Sequence, residues 1–429
     1  MTDLPEGTHT VVVVAADRHG LLRGKRVPAA RWPEVRDRGL SLASAILQWT
    51  ARGEVPVDGP PVTADGVPDL RLHPVPGGVR PVPWRPGTAL ALCEPRSADG
   101  GPLPRSPRAA LVRVLDRATA LGLQVRIGYE VEFRLLDATT LRPVAGGIGC
   151  YDVVGHGAYE DVLSSVRDGL GGMGIEVEAS GTECAPGQFE VNLRYGEALR
   201  SADDGVLFRS AVKELAARHG LVASFMALPW SDEAGSGLHL HHSLWSQGRN
   251  LFAGPDGRLS DTGRHYLGGQ QAHLAELALL GSPNPNSLKR RRAHSFSPTG
   301  DAWGEDNRTV ALRVLRGPAA AVRIEQRDAA ADANPYLAVA AQVAAGLHGV
   351  QHRLEPSPPT TGDAYLSGLG RPLPTDVPAA IAALESSALA KEVFPPELLQ
   401  ALVQGARYEH DLWMREVSAA ERRRFLAVL

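Results

Sequence analysis

The two glutamates in the run Gly128-Tyr-Glu-Val-Glu-Phe133 constrain the fold of this chain more than any other feature. Glu130 and Glu132 lie two residues apart in an apolar, β-prone stretch, so in a strand both side chains point to the same face. Two buried carboxylates repel each other unless positive charge lies between them. A hard divalent cation would supply that charge. The sequence therefore predicts a strand that carries part of a metal site.

Polar pairs with the same spacing recur downstream, in His239-x-His241 and Glu325-x-Arg327. Any one such residue is explained equally well as an outward-facing side chain on an amphipathic strand. Together they indicate a carboxylate-rich site for magnesium or manganese, because oxygen ligands with one imidazole suit these ions. The candidate metal ligands are Glu130, Glu132, Glu183, Glu190, His239 and Glu325.

A set of arginines follows within a short part of the chain. Arginine offers two parallel donors to a carboxylate or a phosphate. Arginines beside two metal ions suit phosphoryl transfer from a nucleotide, which depends on charge neutralisation and positioning. We interpret Arg291 and Arg292, next to the first of these arginines, as solvated charges. The set comprises Arg290, Arg308, Arg313, Arg323 and Arg327.

Composition limits the class of protein. The chain has 429 residues, with 43% hydrophobic and 22% charged, which is typical of a soluble protein with more than one domain. A formal net charge of −3 argues against nucleic acid or an anionic membrane as a partner. The N-terminus does not resemble a signal peptide, and no apolar stretch is long enough to cross a bilayer. We expect a cytoplasmic protein in which Cys93, Cys150 and Cys184 are reduced thiols.

The chain divides into two predicted domains, residues 1–104 and 105–429, the first small and mostly β. A strand is expected at residues 10–16, and Ser106 with Pro107 is typical of a helix start. A capping box at Ser418 and Glu421 predicts a last short helix. Residues 281–308 are expected to form a long polar loop of the kind that covers active sites. Further helices are predicted at about 157–171, 202–219, 262–280, 335–353, 377–392 and 396–416.

Eight motifs in order along the chain resemble those of the glutamine synthetase family, clearly over residues 105–350. No single motif is specific, but their order is. They are Gly128-Tyr-Glu-Val-Glu-Phe133, Gly187-Gln-Phe-Glu190, Phe225-Met-Ala-Leu-Pro229, Gly235-Ser-Gly-Leu-His-Leu-His241, Asn286-Ser-Leu-Lys-Arg290, Asn307-Arg308, Arg323-Ile-Glu-Gln-Arg327 and Asn334-Pro-Tyr-Leu337.

The resemblance implies an α+β fold with a β-grasp-like N-terminal domain and a catalytic domain built on a curved antiparallel sheet flanked by helices. Members of the family assemble into homo-oligomeric rings, hexamers or stacked dodecamers, with active sites between neighbouring subunits. They phosphorylate the γ-carboxylate of glutamate with ATP as co-substrate, and an amine then displaces the phosphate. Two or more Mg²⁺ or Mn²⁺ ions per site are implied.

The resemblance also implies roles for individual residues. The metal on the amino-acid side would be held by Glu132, Glu183 and Glu190, and the metal on the ATP phosphates by Glu130, His239 and Glu325. Glutamate would be held by Gly235, Arg290 and Arg327. ATP would contact Tyr195, His241, Ser243, Arg313 and Arg323, and Arg308 would act on the transferring phosphoryl group.

The departures from the family pattern concern the amine. Members that use ammonia carry a glutamate in the flap after the Lys-Arg motif, where this chain has Phe296. The N-terminal aspartate motif of those members is absent from residues 39–44, and Ala234 replaces an asparagine. Apolar residues in a nucleophile pocket favour a larger, less polar amine. The chain thus resembles the γ-glutamyl-amine ligase branch, which includes γ-glutamylpolyamine synthetases, with Phe296 as a catalytic-site residue.

Three alternatives stay open. A glutamine synthetase that uses ammonia fits the family but not Phe296. A non-catalytic assembly on the same fold gives no reason for six metal-ligand positions. A guanidino kinase would stop at a phosphorylated product and need no amine pocket.

Overall fold

The N-terminal part forms a five-stranded sheet in the computed structural model, which describes residues 3–56, 66–144 and 149–429. Residues 57–65, inside the Pro- and Gly-rich stretch, lie outside the described residues. The order is β2-β1-β5-β4-β3, with β1 and β5 parallel and the other pairs antiparallel. The strands are β1 Thr10–Ala16, β2 Leu22–Pro28, β3 Leu40–Ala43, β4 Asp69–Pro81 and β5 Thr88–Arg96.

Strand β1 is buried on both faces, which explains its unbroken valine run. Val11 and Val13 pack in a small cluster with Trp32, whereas Val14 joins the main core of the molecule. The predicted strand at residues 10–16 is confirmed, and one face of the N-terminal sheet rests on the rest of the chain.

The larger part of the chain is built on a nine-stranded sheet with the path β12-β13-β14-β10-β6-β8-β7, to which β11 adds on β10 and β9 on β6. All pairs are antiparallel except β12 with β13, so the expected α+β fold is confirmed and the sheet departs from it only at this edge. The strands are β6 Gln124–Asp137, β7 Val177–Thr182, β8 Gln188–Glu197, β9 Leu221–Ser224, β10 Leu238–Ser246, β11 Arg249–Asn250, β12 Trp303–Glu305, β13 Leu312–Leu315 and β14 Arg323–Gln326.

Helices pack on the sheet and on each other, and none in the described part of the chain is long and apolar enough to cross a membrane. Among the described residues, 3₁₀ turns are at Ala29–Arg31, Ser44–Leu47, Pro255–Gly257 and Ala319–Ala321. The α-helices are α1 Trp32–Arg38, α2 Pro107–Ala120, α3 Val153–Gly157, α4 Glu160–Gly172, α5 Ala198–Arg218, α6 Asp261–His273, α7 Ala278–Gly281, α8 Pro285–Lys289, α9 Pro335–His352, α10 Ala364–Ser367, α11 Val377–Ser386, α12 Ala388–Val393, α13 Pro396–Arg415 and α14 Ala419–Phe425.

The sequence predicted where helices begin more accurately than whether they continue without a break. Ser106 caps α2 by accepting from the Ala109 N–H at 3.2 Å, and the capping box at Ser418 forms as predicted. The single helix expected at 377–392 is two helices, because the Ser387 side chain caps a new start. The helix expected at 262–280 likewise divides into α6 and α7, and the expected loop 281–308 contains α8 and β12.

Two expectations about side chains are wrong. Cys150 and Cys184 form a disulfide across 34 positions, with Cα atoms 4.5 Å apart, and only Cys93 is a free, buried thiol. Their spacing gave no sign of this, because it is the backbone pairing of Tyr151 N–H with the Thr182 carbonyl (3.0 Å) that brings them together. Arg291 is buried, not solvated, and donates to the Pro374 carbonyl at 2.7 Å.

Candidate active site

The predicted metal ligands lie directly opposite one another on neighbouring strands. In the β6–β8 pair Glu132 is opposite Glu190, and in the β6–β10 pair Glu130 is opposite His239. The two-residue spacing in β6 therefore puts both glutamates on one face. The strand register then places one candidate ligand opposite each glutamate. Glu183 directly follows the end of β7, which pairs with β8.

The same face continues across two more strands. His241 in β10 is opposite Glu325 in β14, and Glu325 is opposite Arg313 in β13. The Glu325 carboxylate accepts from Arg313 Nη1 at 3.0 Å and also contacts Arg327. This edge of the site is therefore an anion held between two guanidinium groups.

Glu130 lies at the centre of the cluster. Its two oxygens are 3.0 Å from His239 Nδ1 and 2.9 Å from His241 Nε2. One ligand atom from each of Glu130, Glu190 and His239 lies within 4.8 Å of the others, and so does one from each of Glu130, His241 and Glu325. The structure thus brings His241, assigned by resemblance to ATP, within reach of a metal on Glu130.

Four of the five carboxylates have no lysine or arginine counterion among the described residues. In the described ranges no lysine or arginine nitrogen lies within 4.0 Å of Glu130, Glu132, Glu183 or Glu190. Burial raises the pKa of Glu190 to about 9, and the charges of Glu130 and Glu132 add to it. Burial and the charge of Glu132 raise the pKa of Glu183 to about 7. Oxygen donors this crowded fit two hard divalent cations.

Two further carboxylates of the cluster, Glu130 and Glu325, have lowered pKa values. Burial alone would raise the pKa of Glu130, but hydrogen bonds from His239 and His241 hold it well below its ordinary value. Burial likewise acts against Glu325, but the charge of Arg327 lowers its pKa. The pKa values therefore favour the ionised form of Glu130 and Glu325 and the protonated form of Glu190.

Glu132 is fixed by neighbours outside the predicted ligand set. Gln188 Nε2 donates to one of its oxygens at 2.8 Å, and the Gly237 N–H donates to the same oxygen at 2.9 Å. A side chain at Gly237 would lie 3.0 Å from His239 Nε2 and 3.1 Å from Arg290 Nη1. Glycine at this position therefore keeps the centre of the site open.

The two arginines assigned to glutamate lie beside the carboxylate cluster. Arg290 is buried, and its Nη2 donates to the carbonyls of Asp328 (2.8 Å) and Ala329 (2.7 Å). This contact fixes the guanidinium and leaves Nη1 directed toward Gly237. A side chain at Gly235 would meet Arg290 Cγ at 2.5 Å, so Gly235 brings the backbone close to that arginine.

Most of the residues assigned to ATP line one cavity of about 520 Å³ beside Glu130. Arg323 Nε lies 3.0 Å from His241 Nδ1, and the Ser243 hydroxyl accepts from Trp245 Nε1 at 2.9 Å. Tyr195 is 43% exposed at the rim. Arg313 is not among the lining residues, because it spans from Glu325 to Asp306.

A second cavity, of about 820 Å³, contains the two residues predicted to act on the amine and the phosphoryl group. Phe296 is 55% exposed, and the exposed side chain of Arg308 faces the same space. Three further lining residues, His294, Asp363 and Tyr365, were not singled out from the sequence. Asp363 and Tyr365 lie far from any recognised motif, so only the fold brings them to Phe296.

Comparison with known proteins decides the family. The protein-family model described as the catalytic domain of glutamine synthetase matches residues 104–425. The chain belongs to the glutamine synthetase family. Glutamate–isopropylamine ligase of a Pseudomonas species is 35% identical over 92% of this chain and 90% of its own. Gamma-glutamylethanolamide synthetase of Streptomyces coelicolor is 38% identical over 97% and 92%.

Solved structures agree with this placement. A solved structure described as a GmaS/ADP complex superposes with a TM-score of 0.89 at 30% identity, covering 100% of both chains. The expected resemblance to the γ-glutamyl-amine ligase branch is confirmed. As a member of the glutamine synthetase family, the chain is an ATP-dependent carbon–nitrogen ligase.

Proposed function

We propose that this chain joins the γ-carboxylate of glutamate to a small organic amine through a γ-glutamyl phosphate. The observation that carries the proposal is Phe296, which faces a cavity of about 820 Å³ together with Arg308. It stands where ammonia-using members of the family carry a glutamate. Two relatives that span most of the chain bear the names of isopropylamine and ethanolamide enzymes, which supports a small primary amine.

The cluster of carboxylates and imidazole is suited to two Mg²⁺ or Mn²⁺ ions. When bound, these ions would neutralise the charge of the ATP phosphates and of the reacting carboxylate. Glu132, Glu183 and Glu190 would hold the ion on the amino-acid side. Glu130, His239 and Glu325 would hold the ion on the phosphate side, and the position of His241 makes it a further candidate.

In the first step the chain positions glutamate and ATP. Arg290 and Arg327 would bind the carboxylates of glutamate, and Gly235 would offer its backbone to the amino group. Arg308, exposed and without a carboxylate partner among the described residues, would follow the charge of the phosphoryl group as it moves from ATP to the γ-carboxylate. Tyr195, His241, Ser243, Arg313 and Arg323 would bind ATP.

In the second step an amine attacks the acyl phosphate and inorganic phosphate leaves. Phe296 lies over the cavity without a charge of its own. It would pack against the organic part of the amine and exclude water from the acyl phosphate. The same side chain offers ammonium no acceptor, so the larger amine is favoured.

Assembly and location complete the proposal. We infer a homo-oligomer, a hexamer or a dodecamer, with sites completed by neighbouring subunits, and a cytoplasmic location. The two-domain division at residues 104 and 105 belongs to the same proposal. Analytical ultracentrifugation tests the assembly directly.

An amine panel tests the function. The chain is incubated with ATP, glutamate, Mg²⁺ and one amine at a time, and amides are identified by mass. Isopropylamine, ethanolamine, ethylamine, putrescine and ammonia span the apolar, polar, cationic and unsubstituted cases. We expect an organic primary amine to give the highest kcat/KM. Replacing glutamate by aspartate or γ-carboxyl-blocked analogues should abolish product.

Phe296→Glu is the matched variant. It restores an acceptor for ammonium, so the ratio of kcat/KM for ammonia to that for the best organic amine should rise. Phe425→Glu, an exposed phenylalanine in α14, is the control and should leave the ratio unchanged. If ammonia is the best substrate of the unmodified chain, it is a glutamine synthetase with an altered flap and the proposal is wrong.

A further inference from the structure

An amine reaches the enzyme near neutral pH mostly as a cation and must lose a proton before it can attack. The Phe296 side chain has no group that can accept that proton. If the proposed function is correct, another residue of the same cavity has to do so. The other titratable groups that line the cavity with Phe296 and Arg308 are His294, Glu305, Asp306, Asp363 and Tyr365.

Three of these groups already have an ion-pair or hydrogen-bond partner in the protein. Glu305 is paired with Arg316, and Asp306 is paired with Arg313. Burial raises the pKa of Tyr365 to about 12, so its hydroxyl stays protonated. That hydroxyl donates to the Ser297 carbonyl at 3.0 Å and so holds the flap next to Phe296.

His294 is a further titratable group of this cavity, and a neutral imidazole can accept a proton. Its Nδ1 lies 3.7 Å from Asp363 Oδ2, and its ring centroid lies 5.2 Å from that of Tyr365. Asp363 is held in place because its other oxygen accepts from the Tyr365 N–H at 2.9 Å. Within the described residues the second ring nitrogen of His294, Nε2, has no protein partner, and its side chain is 63% exposed in the cavity.

The backbone of the flap is held in an unfavourable conformation around this residue. His294 has φ +59° and Phe296 has φ +55°, both in the left-handed region that non-glycine residues rarely adopt. Such strain typically persists where function requires a fixed side-chain placement. Here the strain, together with the Tyr365 hydrogen bond, places His294 and Phe296 on the same cavity.

We propose that His294, oriented by Asp363, accepts the proton of the incoming amine in place of the missing flap carboxylate. A carboxylate behind an imidazole fixes the ring and stabilises its charged form. A neutral imidazole nitrogen can accept a proton, as a general base must.

Nε2 takes one proton from the ammonium form of the amine, and the freed lone pair forms the C–N bond at the γ-carbonyl carbon. The C–O bond to phosphate breaks with its electron pair. The second nitrogen proton goes to the departing phosphate, which leaves as hydrogen phosphate, and His294 returns its proton to solvent.

His294→Gln tests the proposal with two nucleophiles. With ethylamine, which is a cation near pH 7, we expect kcat/KM to fall about 100-fold, the lower range for loss of a general base. With hydroxylamine, which is mostly uncharged at that pH, the rate should stay close to that of the unmodified chain. The loss with ethylamine should shrink at high pH, as the free amine becomes abundant. The variant keeps the other charged and titratable residues of the cavity, which are Arg308, Glu305, Asp306, Asp363 and Tyr365.

A partial reaction checks that the variant is intact. ATP and glutamate without amine give a burst of ADP as the acyl phosphate forms, and His294→Gln should keep its amplitude. Asp363→Asn should show a smaller loss with the same selectivity between the two nucleophiles, as expected of a positioning residue. His219→Gln, an exposed histidine at the end of α5, is the control and should change nothing.

Equal losses with ethylamine and hydroxylamine, an unchanged pH profile, or a lost ADP burst would each overturn the role of His294. These results test the role of His294 independently of the proposed function. If the unmodified chain uses only ammonia, the organic-amine proposal fails, yet the same comparison of ammonia with hydroxylamine still decides whether His294 is the base.

Discussion

Metal binding to this site should release protons, and the number released should depend on pH. The pKa of Glu190 is raised to about 9 and that of Glu183 to about 7, first by burial and then by neighbouring carboxylates. Both carboxylates must be ionised to bind a cation. At pH 7 Glu190 is two pH units below its pKa, so ionising it costs about 3 kcal/mol of the metal's binding free energy.

The slope of affinity against pH follows from these values. Between pH 7 and pH 9 one proton, that of Glu190, is displaced, so the apparent Kd for Mn²⁺ should fall about tenfold per pH unit. Below pH 7 the proton of Glu183 adds to it, and the slope should approach about 100-fold per unit. The free energy of unfolding of the metal-free protein changes in the opposite direction: it falls as these carboxylates lose their protons.

Isothermal titration calorimetry of Mn²⁺ into the chelator-treated protein, in two buffers of different ionisation enthalpy, counts the protons released. Glu190→Gln should lose the release between pH 7 and pH 9 and bind Mn²⁺ more weakly, whereas Glu416→Gln, at an exposed position, should behave like the unmodified chain. A Kd that does not change from pH 7 to pH 9, with heats independent of buffer, would refute the reasoning.

Three further outcomes are expected. Arg327→Ala should lower kcat/KM for glutamate roughly 10- to 1000-fold by removing a bidentate carboxylate contact, with little change in KM for ATP, and Arg327→Lys should not restore it; an unchanged glutamate dependence would mean another acyl donor. Glu183 and Glu190 have higher pKa values in the folded chain than in the unfolded chain. Their protonated forms therefore stabilise the fold at low pH, and this stability is lost as pH rises through about 7 for Glu183 and about 9 for Glu190. The Tm of the metal-free protein should therefore fall across this range and recover with Mn²⁺, and a Tm that rises with pH would contradict this. Thiol titration of the unfolded, unreduced protein should find one free cysteine, Cys93, and three would contradict the Cys150–Cys184 disulfide.

Local spacing was enough to predict the strand and to place its two glutamates on one face. Glu130 and Glu132 share a face of β6 because side chains alternate along any strand, whatever it pairs with. Helix starts such as those at Ser106 and Ser418 were predictable for the same reason, since a cap bonds to residues only two or three positions away. The break at Ser387 was not predicted, although its cap is also local: the Ser387 side chain accepts from the Ala390 N–H at 3.0 Å, and its hydroxyl also donates to Glu276, far away in the chain, at 2.8 Å.

By itself, the sequence determined the family, the α+β class, the ligand types of the metal site and the absence of a flap carboxylate at Phe296. Only the tertiary structure decided which residues face one another. Strand register put Glu132 opposite Glu190 and made Glu130 the centre of the cluster. Folding of distant segments joined Cys150 to Cys184 and brought Asp363 to His294. The physical reason is that a periodic pattern fixes where a side chain points along its own strand, whereas its partner is set by the packing of residues far away in the chain.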